Sequence, residues 1–288
     1  MLGVTLEQVL SGEPPRECVL DRVGLEQVGG SVAVMTLSRV ESRNALSFAA
    51  WLRLASLFRE MIASDGLRAV VIKGTGARAF AAGADIGEFA ELRSSAATAI
   101  AYNAAIAAAL ESVQLVPVPV VAMISGLAIG GGCELAAACD VRIADTTCRL
   151  GIPIGRLGVT LGYTEARLLT ELIGPAALKY LLMSGELIDA SHAMRMGLLQ
   201  RVVEPGDLVT AVVQFVETVV ANSEVTMRAA KQVVQMCGRD LTAHDTETLM
   251  RLTAEAYEGT DLKEGVEAFV AGREPAFTMG RRGTNGRA

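Results

Sequence analysis

From Ser31 to Leu37 apolar residues occupy both registers of a two-residue repeat. Val32, Val34 and Thr36 lie on one, Ala33, Met35 and Leu37 on the other, which predicts a strand. Gly29-Gly30 ahead of it reads as a turn. Ser47 can cap a helix running to about Ile62, with Trp51, Leu52, Leu54, Ala55 and Phe58 on one side. Leu67–Lys73 is short and β-branched, a second strand. Glycines then break residues 74–87, and the Ala-rich stretch from Ser94 to Ser112 predicts a helix. Val118–Ser125 reads as a strand, Cys133–Ala138 as a helix opened by three glycines, and Asp140–Ala144 as a strand.

From Thr164 onward the pattern becomes mostly helical: Thr164–Leu172, Ala176–Met183, Ala190–Met196, Pro205–Ala221, Glu224–Gly238, His244–Glu258 and Leu262–Ala271. Strands alternating with helices in the first half predict a layered α/β core. At about 150 residues per domain, 288 residues give roughly two units, or one with an appendage. Residues 1–20 read as an N-terminal extension, 21–204 as the core and 205–288 as a helical subdomain.

Composition narrows the function classes. Hydrophobic residues make up 51% and charged residues 20%, enough apolar surface for a real core. The net charge of −6, with only Arg281, Arg282 and Arg287 in the tail, speaks against a nucleic-acid partner. The five cysteines, Cys18, Cys133, Cys139, Cys148 and Cys237, are odd in number and form no CxxC. That pattern predicts a reducing compartment and neither a disulfide framework nor a zinc site. With His192 and His244 as the only histidines, both read as surface or packing residues, no metal centre is expected. Met183, Met194 and Met196 read as core filler. Ser112–Cys133 is uncharged, but Pro117, Pro119 and four glycines interrupt it, so it predicts a buried strand and turn rather than a membrane span. Met1–Arg16 contains Glu7 and Glu13 and lacks a secretory pattern. The expectation is a soluble, cytoplasmic protein.

Three glycine loops invite chemistry. Gly74-Thr75-Gly76-Ala77-Arg78-Ala79 has the form GxGxxA, yet Gly83 and Gly87 follow where a long helix should open, so a dinucleotide site is a weak reading. Phe80-Ala81-Ala82-Gly83-Ala84-Asp85-Ile86 is rich in small residues that let a ligand or a backbone come close, with Asp85 able to cap a short helix. Ile129-Gly130-Gly131-Gly132-Cys133-Glu134-Leu135 places three glycines before a helix start, where unpaired N–H groups favour an anion or a developing oxyanion. Glu134 can sit over that site, or simply complement the helix dipole.

Together, FAAGADI, SGLAIGGGCELA and CDVRIAD resemble the enoyl-CoA hydratase/isomerase (crotonase) superfamily. Leu37-Ser38-Arg39 through Arg43-Asn44-Ala45-Leu46-Ser47, the segment 185–199, Ala229-Ala230-Lys231 and Glu264–Phe269 agree in order, so the resemblance spans about residues 30–278. It implies a ββα spiral core with a C-terminal helical trimerisation subdomain, in a homo-trimer or dimer of trimers. It implies an acyl-CoA substrate, with coenzyme A arriving on the thioester and no separate cofactor. The N–H groups of Ala84 and Gly131 would be the oxyanion donors and Glu134 the acid/base. Ser42, Arg43, Ala45, Ala82, Asp85 and Ile86 would lie along the CoA moiety. Gly272 stands where the family usually has a lysine, with Arg273 the nearest replacement. Asp85, Asp140 and Arg142 also match positions with structural roles.

One departure stands out. The family's second glutamate maps to Ile154, which can neither give nor take a proton. Glu165 and Tyr163 are near, but each reads first as a residue at a helix start, and Gly162 stands where other branches carry an aspartate. Arg156 could bind a substrate carboxylate, or be a surface residue. The resemblance therefore implies hydration or double-bond isomerisation of an enoyl-CoA. Decarboxylation of a malonyl-type thioester, thioester hydrolysis and non-catalytic acyl-CoA binding are the alternatives.

Overall fold

The computed structural model describes residues 5–12, 19–25 and 30–277. Cys18, Gly29, Arg281, Arg282 and Arg287 lie outside the described residues. After a short helix α1 (Leu6–Ser11), strands β1 (Val19–Leu25) and β2 (Gly30–Leu37) form an antiparallel pair. Helix α2 (Phe48–Ile62) follows, capped by the Ser47 hydroxyl as its sequence predicts. The chain then alternates between two sheets. Strands β3 (Leu67–Gly74), β5 (Val120–Ile124), β7 (Val141–Asp145) and β10 (Arg201–Val203) join β1 and β2 in the order β1-β2-β3-β5-β7-β10. Strands β4 (Ala79–Ala81), β6 (Leu127–Ile129), β8 (Arg149–Gly151) and β9 (Ile188–Asp189) form the second sheet in that order. From β3 onward each coil of the chain adds one strand to each sheet and one covering segment, a ββα spiral.

The large sheet is covered on both faces, which explains why its strands carry apolar residues in both registers. Ala33, Met35, Leu37, Val70 and Ile72 pack with Trp51, Leu54 and Phe58 of α2 and with Tyr102, Ile106 and Leu110 of α4 (Ala96–Leu115). Val32, Val34, Ala69, Val71 and Val121 face the other way, onto Leu208, Val212 and Val216 of α8 (Leu208–Ala221) and Leu6 and Leu10 of α1. α4 is long and apolar enough to cross a membrane, but here it is a packing element of the core.

Three buried cations tie helix ends to the sheet. Arg68 donates to the Val220 and Asn222 carbonyls that end α8. Lys73 donates to the Val9, Leu10 and Gly12 carbonyls that end α1. Arg142 donates to the Ala136 and Cys139 carbonyls that end α5 (Gly131–Ala138). Cations there satisfy orphan carbonyls and match the negative end of the helix dipole.

Some of these expectations hold and others change. The GxGxxA segment is only the turn from β3 into β4, with no long helix after it. The two helices expected over 164–183 are present as the two halves of α6 (Tyr163–Ser184), separated at Gly174 (φ 75°) before Pro175. Met183 and Met194 are exposed rather than core filler; Met196 does pack against the core. α7 (Ala190–Arg195) and α8 belong to the main body, while α9 (Glu224–Met236), α10 (Ala243–Glu258) and α11 (Thr260–Ala271) follow with few buried residues.

Candidate active site

Strands β4, β6 and β8 run parallel, so their carboxyl ends share one edge of the second sheet. Loops leaving such an edge are where α/β folds bind ligands. Here they enclose a cavity of about 120 Å³. The loop after β4 gives Ala82, Gly83, Ala84 and Ile86, that after β6 gives Gly130, Gly131 and Glu134, and that after β8 gives Pro153, Ile154 and Leu157. Phe89, Arg93, Asn103, Ile106, Leu161, Gly162 and Glu165 complete the wall.

The glycine loops are shaped by close backbone approach. Gly130 takes φ 51°, which turns β6 into α5, and its N–H donates to the Gly151 carbonyl at 2.8 Å. A Cβ at Gly131 would meet the buried Trp51 ring at 2.7 Å, and one at Gly132 would meet the Ala81 carbonyl oxygen at 2.1 Å. Gly83 (φ +103°) would similarly meet the Ile129 carbonyl at 2.8 Å. These contacts seat the start of α5 directly on the end of β4. The Cβ position of Gly131 lies 3.5 Å from the Ala84 nitrogen, so the two expected donor residues adjoin. Among the described residues no backbone acceptor takes the N–H of Ala84 or of Gly131.

Glu134 sits one turn into α5 and is 6% exposed. Burial pushes its carboxyl up to about 8; the nearby Glu165 charge adds to the rise and Arg93 opposes it. Glu165 was expected to be a helix-start acid. It is at the start of α6, but it is only 3% exposed and lines the cavity. Its carboxyl is also pushed up, chiefly by burial, with its own backbone N–H and Arg93 pulling the other way. Arg93, which the sequence did not single out, lies over the Phe89 and Tyr102 rings at 4.7 and 4.9 Å and bonds Asn103. Among the described residues, neither glutamate forms an ion pair.

A second cavity of about 570 Å³ lies beside the first, lined by Ser38, Arg39, Glu41, Asn44, Ala45, Ser47 and Arg53 among others. The two regions are joined by the Leu46–Ala84 bridge and the Arg39–Asp85 ion pair at 2.8 Å. Arg43 and Asn44 adopt positive φ; the Asn44 amide holds the turn by donating to the Thr75 and Ala79 carbonyls. The Arg43 carbonyl accepts from Ala82 N–H, which brings the Ser42–Ala45 turn beside the Ala82–Ile86 loop. Asp85 caps Gly87 N–H, as its position suggested. Asp140 accepts from Val120 N–H and pairs with Lys231 at 2.7 Å, fastening α9 to the core.

Not every expected residue reaches the cavities. Ile154 lines the smaller one, but Arg156 is exposed, beside Gly185. Tyr163 is exposed as well. Arg273 is bonded by both terminal nitrogens to Glu264, and lines neither cavity within the chain.

The two-sheet spiral and the paired loops define a crotonase-type protein, and known proteins agree. The family profile described as enoyl-CoA hydratase/isomerase matches residues 27–280. A probable enoyl-CoA hydratase of Mycobacterium bovis is 36% identical over 247 residues, 86% of this chain and 94% of that protein. A short-chain-enoyl-CoA hydratase of Clostridium acetobutylicum is 32% identical over 261 residues, 88% and 97% of the two chains. The crystal structure of an enoyl-CoA hydratase/carnithine racemase from Magnetospirillum magneticum superposes with TM-score 0.82 at 33% identity, covering 90% of this chain and 95% of that one. The chain belongs to the enoyl-CoA hydratase/isomerase family.

Proposed function

We propose that the protein acts on a short-chain enoyl-CoA, adding water across its double bond or shifting that bond. The observation that carries this reading is the meeting of two N–H groups without a backbone acceptor, on Ala84 and Gly131, with the buried carboxyl of Glu134 in one mostly apolar cavity. When a nucleophile adds at the β-carbon, or a proton leaves the α- or γ-carbon, negative charge collects on the thioester oxygen. Two backbone donors in a dry site stabilise that charge. Glu134, with its carboxyl near neutrality, exchanges the proton on carbon.

The cavity is small beside the ~300–1,000 Å³ of clefts for drug-sized ligands, which supports a short acyl group. The larger neighbouring cavity, lined by Ala45 but not by Ser42 or Arg43 of the same turn, supports a place for the CoA moiety. Decarboxylation relied on Arg156 to hold a substrate carboxylate, and Arg156 lies outside the cavity lining. This reading also takes the chain as a homo-trimer or dimer of trimers, supported by apolar side chains that α9–α11 leave uncovered.

Proton NMR in deuterated water with crotonyl-CoA, a 3-enoyl-CoA and methylmalonyl-CoA tests the proposal. An enoyl substrate is expected to react with α-deuterium incorporation, and Glu134→Gln to lower that rate by about 10²–10⁴. Acyl-CoA binding without any reaction or α-exchange would mark a non-catalytic binder and end this reading.

A further inference from the structure

Glu165 combines observations that a helix-start acid does not explain. Such residues are ordinarily solvated, yet this one is almost fully buried, forms no ion pair among the described residues, and shares a small apolar cavity with a second buried carboxyl. Two carboxylates without an ion-pair partner in one small, mostly apolar cavity are costly to charge, and a helix-start role for Glu165 gives no reason to place it beside Glu134.

The local structure shows how the carboxylate is held. Glu165 is the third residue of α6, and the N-cap, Gly162, has no side chain to cap the helix. The glutamate folds back over that helix start instead, against its own backbone N–H. The space it takes is that of the missing side chain: a Cβ at position 162 would stand 2.2 Å from Glu165 Oε2. Gly162 is thus the condition for this carboxylate position. On the other wall Ile154 is apolar and leaves the proton chemistry to these two groups.

The geometry points to Glu165 as a second catalytic acid/base of this cavity, paired with Glu134 and dividing the chemistry of hydration with it. This inference rests on the acyl-CoA reading above and extends it. The Glu165 carboxylate takes a proton from water as the water oxygen bonds to the β-carbon. The π electrons of the double bond move toward the thioester oxygen, giving the enolate. The Glu134 carboxylic acid then gives its proton to the α-carbon, and the enolate collapses to the thioester. Water has been added as H and OH; the proton now on Glu165 and the charge on Glu134 are reset by exchange with solvent. A carboxyl pair in which one member holds a proton at neutral pH suits this division, and the elevated Glu134 carboxyl agrees with it.

The test uses two reactions. Hydration of crotonyl-CoA needs both groups; exchange of the α-protons of butyryl-CoA in deuterated water needs Glu134 alone. Glu165→Gln is expected to lower hydration by about 10²-fold or more and α-exchange far less, with the α-exchange pH profile moved to lower pH as the charge that raises Glu134 is lost. Glu134→Gln is expected to lower both by about 10²–10⁴. Gly162→Ala keeps an ordinary backbone conformation but displaces the carboxylate, and is expected to lower hydration at least about tenfold with α-exchange retained. Hydration that survives Glu165→Gln within about threefold overturns the pair and leaves the acyl-CoA reading intact. Equal loss of both reactions in Glu165→Gln also overturns it, showing a structural role. A wild-type protein that neither hydrates crotonyl-CoA nor exchanges butyryl-CoA α-protons overturns the parent reading, and the pair with it.

Discussion

Glu134 carries a measurable consequence for stability. In the folded chain it keeps its proton up to about pH 8, against about 4.3 for an unperturbed glutamate. Between those values the folded state binds more protons than the unfolded state. Its contribution is therefore fully present below about pH 4.3 and is lost as pH rises through about 8. Glu134→Gln keeps the shape and cannot ionise. Its Tm is expected to rise relative to wild type as pH goes from 5 to 9, by the equivalent of a few kcal/mol at about 1.4 kcal/mol per pKa unit. An identical Tm difference at both pH values would contradict a buried titrating carboxyl. Among single residues, the meeting of Ala84, Gly131 and Glu134 in one cavity was legible in the sequence because they lie in contiguous motifs. Glu165 was not, because burial is a tertiary property that a helix-start position does not reveal. One signal was present: Gly162, at a cap without a hydroxyl, stands three residues before an acid, half of a capping box.

At the level of elements, what repeats is legible and what is brief is not. The long elements β2, α2, β3 and α8–α11 follow from apolar patterning and caps, and α4 from its alanine-rich composition. Strands β4, β6, β8 and β9 hold two or three residues each, less than two periods of alternation, so no pattern in the sequence announced the second sheet. Yet that sheet aims the site. Helix α5 shows how tightly: all eight of its residues are buried, its start rests on β4, and Arg142 holds its end. Gly132→Ala would push a methyl against the Ala81 carbonyl oxygen, where only 2.1 Å is available. The Ala81 oxygen belongs to the backbone and the new methyl is fixed to Cα, so the helix must move rather than a flexible side chain. We expect a stability loss of about 1–3 kcal/mol in denaturant titration and an activity loss of at least about tenfold as the Gly131 and Ala84 donors part. Unchanged turnover in this variant would show that the seat of α5 on β4 does not set the donor geometry.

Across the whole molecule, the three parallel strands of the second sheet gather three loop ends at one edge, and the large sheet beside it is buried on both faces. The chain then leaves apolar surface elsewhere. Phe269 is 86% and Val270 81% exposed on α11, with Val234 on α9 and Met250 and Tyr257 on α10 also open to solvent. An apolar surface of this kind, carried on helices that bury little within their own chain, fits contact with another copy. Under the trimer reading, sedimentation velocity of the wild-type protein gives a mass of three or six chains. Phe269→Asp combined with Val270→Asp removes apolar surface without opening the core, since both side chains already face solvent. The double variant is expected to sediment as smaller species while its far-UV spectrum stays unchanged. A wild-type protein that sediments as a single 30.2 kDa chain at micromolar concentration would rule the trimer out and leave the apolar face of α9–α11 for a different partner.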